Sequence, residues 1–354
     1  MPLSRGPLSA ALSEDLLGHK ALRPSTIACA ADACRRRQGN PLTDEDLQLT
    51  LTLCYELHYQ GIDGVDDAWE WEPTLLTMRR VVEQAFQAAL CAQVALPMPT
   101  GEPIGVQLRR LVTTDGGPSL SHHLQHAGTL MQYREFVAHR SIYHLKEADP
   151  HTWAIPRVTG RTKAALVEIQ ADEYGGGRPE RMHNALFARA MRALSLDDTY
   201  GYFVDEAPAS TLCTVNLASF FGLHRRLRGA VLGHLAVLEM DSSVPNRRYG
   251  DGLRRLGFGH DATWFYDEHV QADAVHEQLA AVDMCGSFVA AEPERLPDVL
   301  FGAAACLAIE GGFADALLNA WRSGRSSLRQ RPRHQDCRAA GHRTGSSGAL
   351  PARN

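Results

Sequence analysis

The apolar residues of this sequence recur at helical spacing through almost the whole chain, and runs that alternate apolar and polar residues are almost absent. Residues 42–61, LTDEDLQLTLTLCYELHYQG, show the pattern clearly. Thr43 is a suitable N-cap, acids follow in the first turn, and Gly61 marks the stop. No glycine-rich turn leads from a strand into a helix. We therefore predict an all-α bundle.

The same criteria predict the remaining helices. They are expected at residues 73–93, 102–112, 118–125, 127–145, 161–174, 180–194, 209–221, 224–240, 246–255, 261–283 and 292–323. Loops dense in Gly, Pro, Asn and Asp separate them.

Composition divides the chain into three parts. Residues 1–40 are rich in Ala, Ser, Pro and Arg with weak periodicity, so we expect a loosely ordered N-terminal arm, with room for a short helix at 9–18. Residues 41–324 carry the helical pattern and are expected to form one domain. Residues 325–354 contain seven Arg, one Asp and few large apolar residues, which predicts a disordered basic tail.

Charge and cysteine content exclude several classes of protein. The net charge is -5, and the basic tail leaves the body more acidic still, which argues against a nucleic-acid partner. The eight cysteines form no C-x-x-C pair, so we expect reduced thiols rather than a zinc framework or disulfides. We find no signal-like segment and no run near the roughly 18 apolar residues that span a bilayer. A cytoplasmic protein without a membrane partner is expected.

The stretch FYDEHVQADAVHEQ, residues 265–278, places three metal-binding side chains on one helical face. His269, Asp273 and His276 fall within an arc of about 60° at 100° per residue. Two imidazoles and a carboxylate suit a transition metal such as iron or manganese. Because the same pattern occurs on solvated faces, the assignment requires partners on facing helices.

Such partners occur upstream. Glu173 ends one predicted helix, three glycines follow, and Pro179 starts the next helix shortly before His183. Glu239 lies in the apolar segment GHLAVLEMDSS, where an unpaired carboxylate is costly to bury. Metal ligation would offset that cost, and so would an arginine from residues 224–229. The six residues together suit two irons.

In this order the residues resemble the ligand set of the haem-oxygenase-like di-iron oxidases. Glu173 and His183 match that family's E-x9-H pair, Glu239 its central glutamate, and residues 269–276 its closing H-x3-D-x2-H motif. Glu147, in HLKEADPHTW, stands where some members have an additional glutamate ligand. The surrounding sequence, over about residues 45–328, resembles the actinobacterial branch called iron-containing redox enzymes.

The resemblance implies a haem-oxygenase-like helical bundle, here with extra N-terminal helices, that binds two Fe(II) ions and uses O₂ as co-substrate. The substrate would be a small metabolite that bears a carboxylate or an amine. The ligands do not distinguish N-oxygenation, desaturation and C–C cleavage. An external electron donor and a homodimer are both compatible with the family.

Two other functions are compatible with a helical bundle. A haem-binding helical protein would use one axial histidine, but it leaves the clustered carboxylates unexplained. A non-catalytic helical scaffold with a degenerate metal site would carry the same acids as solvated side chains. Haem absorption and iron content separate these alternatives from an oxidase.

Overall fold

A computed structural model describes residues 1–35, 39–114 and 119–330, except for the side chains of residues 272–275. Within these ranges the regular secondary structure is helical, as the sequence predicted. The first eight α-helices are α1 Pro7–Gly18, α2 Pro24–Arg35, α3 Glu45–Glu56, α4 Pro73–Gln93, α5 Ile104–Thr114, α6 Leu120–His126, α7 Leu130–His144 and α8 Asp149–Thr152. The others are α9 Gly160–Glu173, α10 His183–Ala193, α11 Ala209–Leu223, α12 Arg228–Asp241, α13 Ser243–Arg255, α14 His260–Gln278, α15 Ser287–Ala291 and α16 Leu296–Arg322.

The N-terminal segment is a pair of packed helices; α1 matches the short helix expected at 9–18, whereas the expectation of loose order was wrong for residues 1–35. Leu8, Leu12 and Leu16 recur at four-residue spacing and are buried in the core. The carboxylate of Asp46 on α3 accepts hydrogen bonds from the first backbone amides of α1, at 2.9 Å from Leu8 and 2.7 Å from Ser9. A distant side chain thus caps this helix, which no local signal reveals.

Helix α3 confirms the predicted helix but corrects its ends. Asp44, one residue after the expected Thr43, is the N-cap and accepts hydrogen bonds from the amides of Asp46 and Leu47. The helix ends at Glu56, and the chain then turns through Gly61 at φ +73°. Aspartate is as good an N-cap as threonine, so a one-residue shift has little energetic consequence.

Helices α12 and α16 form the central contact of the bundle. A Cβ on Gly233 would collide with the carbonyl of Val299, and one on Gly302 would collide with that of Ala230. The two glycines therefore permit a backbone approach that fixes where α12 places its C-terminal half. The segment Pro293–Arg322 is long and apolar enough to cross a membrane, which corrects the expectation that no such run exists. Here it packs against α11 and α12.

The helix predicted at 261–283 consists of two elements. Helix α14 ends at Gln278, and a π-helical segment, Leu279–Gly286, continues from it and packs against α9 and α12. Wider π turns shift the register of all later side chains and are common beside functional sites.

The first residues of the predicted basic tail pack on the body of the protein. The amide and hydroxyl of Ser327 donate to the Glu135 carboxylate at 2.9 and 2.7 Å, and Trp321 Nε1 donates to it at 2.7 Å. The backbone amide of Arg329 donates to the carbonyl of Glu206. Disorder was therefore the wrong expectation for residues 325–330, whereas residues 331–354 lie outside the described part of the chain.

Candidate metal centre

Five elements of the bundle deliver the candidate ligands to one place. Helices α9, α10, α12 and α14 converge, and the turn between α7 and α8 closes the site. These elements carry, in chain order, Glu147 in the turn, Glu173 as the last residue of α9, His183 as the first residue of α10, Glu239 near the end of α12, and His269 and His276 on α14.

The glycine hairpin after α9 explains how Glu173 and His183 meet. Gly175, Gly176 and Gly177 all have φ between +61° and +79°, a region that side chains with a Cβ rarely adopt. A Cβ on Gly175 would also lie 2.6 Å from the carbonyl carbon of Arg181. The chain reverses within this hairpin, and His183 Nδ1 comes to lie 2.9 Å from Glu173 Oε2.

The ligand atoms form two groups that share one residue. In the first group, Glu147, Glu173, His183 and His269 each offer an atom within 4.8 Å of the others. In the second group the same holds for Glu173, Glu239 and His276. A carboxylate has two oxygens, so Glu173 can serve both groups at once. This arrangement suits two neighbouring metal ions bridged by Glu173.

Two buried atoms of the first group have no hydrogen-bond partner. They are Glu147 Oε2 and His183 Nδ1. The short approach of His183 Nδ1 to Glu173 lacks the geometry of a hydrogen bond, although both atoms are well placed to face one cation. Buried polar atoms are rarely left unpaired, because each costs about 1–3 kcal/mol. The donor set of carboxylates and imidazoles therefore fits an iron ion.

No arginine among the described residues forms an ion pair with Glu239. Of the three arginines considered from the sequence, Arg228 pairs with Glu292 and Arg226 donates to Gln87. Glu239 contacts His276, whose Nδ1 lies 3.2 Å from Glu239 Oε2. Of the two explanations offered for this buried carboxylate, the arrangement of its described neighbours favours metal ligation.

Hydrogen bonds outside the two groups orient the histidines of α14. Nδ1 of His269 donates to the backbone carbonyl of Phe265 at 2.8 Å, which leaves Nε2 facing Glu147 at 3.7 Å. Nε2 of His276 lies 2.9 Å from the carboxylate of Asp172, which leaves Nδ1 facing Glu239. Such partners fix the imidazole tautomer and raise its basicity as a ligand.

Sequence reasoning missed two of the orienting side chains. Asp172 holds His276, and His144 Nδ1 lies 2.8 Å from Glu147 Oε1. Asp172 immediately precedes Glu173, and His144 lies three residues before Glu147, so proximity along the chain was the available signal. It was weak, because neighbouring residues on a helix usually point in different directions.

The electrostatics of the site favour a bound cation. Burial opposes charge on His269, but Glu147 and Glu173 outweigh it and raise the pKa of His269 to about 10. Burial likewise opposes charge on His276, and Glu239 and Asp172 raise its pKa to about 9. Burial also raises the pKa of Glu239. In the absence of metal, protons therefore balance the carboxylates, and a metal ion would displace those protons.

The structure thus brings together six of the seven candidate ligands, including Glu147. For Asp273 the outcome differs: it lies within α14, but its side chain is outside the described residues. Its assignment as a ligand stays a prediction.

A cavity of about 460 Å³ opens beside the two ligand groups. Glu147, Glu173, Glu239 and His269 form part of its wall. Farther along, Arg140 and Glu310 face each other in a two-pronged ion pair, with nitrogen–oxygen distances of 3.1 and 2.7 Å. A volume of this size suits a small organic molecule.

Comparison with known families agrees with this arrangement. The family model described as iron-containing redox enzyme matches residues 134–311, half of the chain, and this range includes every candidate ligand. A search of curated proteins gives no match. The family match supports the haem-oxygenase-like helical fold, whereas the actinobacterial branch stays a prediction. On this match and the geometry of the site, the chain belongs to the family of iron-containing redox enzymes.

Proposed function

We propose that this protein is a non-haem di-iron oxidase or oxygenase that uses O₂ to oxidise a small metabolite bearing a carboxylate or an amine. The observation that carries the proposal is the pair of ligand groups that share Glu173. A single-metal site would need one such group, and a haem site would need one histidine. The family match supports iron-dependent redox chemistry in general.

Each described ligand residue has a defined part in this proposal, and Asp273 stays an additional candidate ligand. Glu147, His183 and His269 would hold one iron, Glu239 and His276 the other, and Glu173 would bridge them. When bound, the iron pair supplies the redox chemistry with O₂. Asp172 and the Phe265 carbonyl keep His276 and His269 in their ligating orientations. The protein otherwise provides a preorganised pocket.

The cavity would receive the substrate. The Arg140–Glu310 pair in its wall offers one cation and one anion, so a carboxylate or an ammonium group could exchange into it. Where the substrate does not provide all the electrons needed to reduce O₂, an external electron donor would supply the rest. We place the enzyme in the cytoplasm, and a homodimer is compatible with its function.

A haem-binding protein is the less favourable alternative. It would leave the carboxylates of Glu147, Glu173 and Glu239 clustered, with no arginine or lysine among the described residues to balance them. The desolvation of such a cluster is costly without a cation.

Metal analysis of single variants tests the proposal. Protein reconstituted anaerobically with Fe(II) should hold about two irons, the number suited to a carboxylate-bridged centre. Because His269 and Glu239 belong to different groups, His269→Ala and Glu239→Ala should each lose mainly one iron. The exposed Glu168 on α9 offers a matched control, Glu168→Ala, that should retain both. Normal iron content in the first two variants would contradict the site assignment.

Oxygen uptake tests the redox part of the proposal. The iron-loaded protein should consume O₂ in the presence of a chemical reductant, and Glu239→Ala should consume it much more slowly. Equal uptake by wild type and Glu239→Ala would refute O₂ activation at this centre. A Soret band with stoichiometric haem would favour the haem-binding alternative instead.

A further inference from the structure

Three buried side chains in the cavity wall have polar atoms without partners, and none of them is a candidate ligand. Gln170 is 3% exposed, and neither its Oε1 nor its Nε2 makes a hydrogen bond. His151 is 1% exposed, and its Nδ1 is unpaired. Tyr266 is 2% exposed, and its hydroxyl is unpaired. All three line the same cavity.

Gln170 is the most informative of the three. It lies three residues before Glu173 on α9, so both residues lie on nearly the same face of that helix. The side-chain amide of glutamine carries a donor nitrogen and an acceptor oxygen on the same carbon atom. In Gln170 both are buried at the cavity wall without protein partners, so both are available to a molecule in the cavity.

The chemistry of this side chain selects its ligand. A carboxylate offers only acceptors, so it can pair with Nε2 but places a lone pair against Oε1. An ammonium group offers only donors and leaves Nε2 unpaired. An amide offers a carbonyl and an N–H side by side and satisfies both atoms of Gln170.

We propose that Gln170 determines substrate specificity by pairing with an uncharged amide group, a carboxamide or lactam, held next to the metal ligands. The inference rests on the proposed function, because it takes this cavity as the substrate site. A charged group elsewhere on the same substrate would lie towards Arg140 and Glu310. His151 provides a further contact, since its Nε2 is already engaged by His234 Nδ1 at 3.0 Å and only Nδ1 is free.

Binding of three probes with the same alkyl chain tests the proposal. Hexanamide, hexanoate and hexylamine are titrated calorimetrically into the full chain, both metal-free and loaded with Mn(II), which avoids turnover. We expect hexanamide to bind at least about tenfold more tightly than either ion, a difference of about 1.4 kcal/mol. No detectable hexanamide binding, or equal or tighter binding of an ion, overturns the proposal.

Variants of Gln170 show whether this side chain causes the preference. Gln170→Leu keeps the volume but removes both polar atoms, so the amide preference should disappear. Gln170→Glu, which accepts but does not donate when ionised, should shift the preference to hexylamine. The exposed Gln60 supplies the matched control, Gln60→Leu, which should retain wild-type selectivity. If Gln170→Leu keeps the amide preference, the proposal is wrong.

Iron content separates this inference from the proposed function. Gln170→Leu should bind as much iron as wild type, because Gln170 acts on substrate and not on metal. Loss of iron from this variant would make Gln170 a residue that positions ligands and would overturn its assignment to substrate. Conversely, amide selectivity in a wild-type chain that binds no iron would refute the di-iron proposal and leave this inference standing.

Discussion

Two clusters of acidic and imidazole side chains in the described part of the protein differ in how their charge is balanced. The first is the candidate metal centre. The second, here called the closed cluster, joins α3, α4 and the end of α11, and its members are Tyr55, His58, Glu70, Arg79, Glu83 and His224. In the closed cluster, the Glu83 carboxylate accepts a hydrogen bond from the Tyr55 hydroxyl at 3.1 Å. It also pairs with Arg79 at 3.3 Å and contacts His224 at 2.9 Å.

The closed cluster contains a permanently charged side chain, Arg79, and the candidate metal centre has no such partner among the described residues. Arg79 balances Glu83, and none of the buried side-chain atoms without a partner belongs to the closed cluster. Among the described residues, no arginine or lysine pairs with Glu147, Glu173 or Glu239, and atoms of Glu147 and His183 are left unpaired. Residue types therefore do not identify a metal site by themselves. An acidic cluster that has no arginine or lysine partner, and whose charge is balanced only by protons on its histidines, does so far better.

The largest effect is expected from removal of the cation of the closed cluster. Arg79→Met leaves Glu83 buried without a counter-charge, which should lower the free energy of unfolding by about 3–5 kcal/mol. The adjacent Arg80 is exposed, so Arg80→Met is a matched control with little effect. Urea unfolding of both variants gives the comparison, and an equal stability loss in the two would show that Arg79 does not hold the cluster together.

A substitution beside the candidate metal centre should lower its metal affinity and change the free energy of unfolding much less. Asp172 is 61% exposed at its side chain, so Asp172→Asn should hardly change unfolding. It removes the carboxylate that orients His276, and changes to such partners weaken metal binding about 10- to 100-fold. Competition with an Fe(II) chelator measures this change, with Glu168→Gln as the control on the same helix. Unchanged affinity in Asp172→Asn would show that His276 needs no such partner.

The smallest effect concerns pH and the closed cluster. Burial, reinforced by Arg79 and opposed by Glu70, lowers the pKa of His58 below 6.5. The folded state then binds fewer protons than the unfolded state, so this contribution to stability is lost as pH falls below about 6.5. His58→Gln keeps an acceptor for Arg79 and should reduce the loss of stability between pH 7 and pH 5.5. Urea midpoints at both pH values provide the measurement.

Other buried histidines set the background of that experiment. Burial lowers the pKa of His139 to about 3 and that of His234 to about 4, and it lowers the pKa of His151 as well. His58→Gln should therefore flatten the acid dependence without abolishing it. An unaltered pH dependence in the variant would show that His58 is not held neutral by the closed cluster.

The sequence predicted most of the helices because their signals are local. Apolar spacing, caps and Gly–Pro loops lie within each segment, and the predicted helix at 73–93 coincides with α4. The predictions that failed concern segments that are held in place by residues far away in the sequence. Asp46 caps α1, and Ser327 satisfies Glu135, so nearby residues alone did not show that α1 is firmly packed or that residues 325–330 are ordered.

The candidate ligands were also predictable in part. Regular spacing on α14 pointed to His269 and His276, and the glycine hairpin pointed to Glu173 and His183. The sharing of Glu173 by two groups, and the unpaired amide of Gln170, depend on how the helices meet. Such distances depend on tertiary packing, which cannot be read from local patterns in a single sequence.

Iron stoichiometry of Glu173→Gln tests the central claim most directly, because Glu173 is the described residue that both ligand groups share. Anaerobic Fe(II) titration should give about two irons in wild type, as expected for a carboxylate-bridged pair. Glu173→Gln should lose both irons while its circular dichroism stays unchanged. A wild-type protein that binds one iron or none, or a Glu173→Gln variant that retains both, would contradict the di-iron assignment.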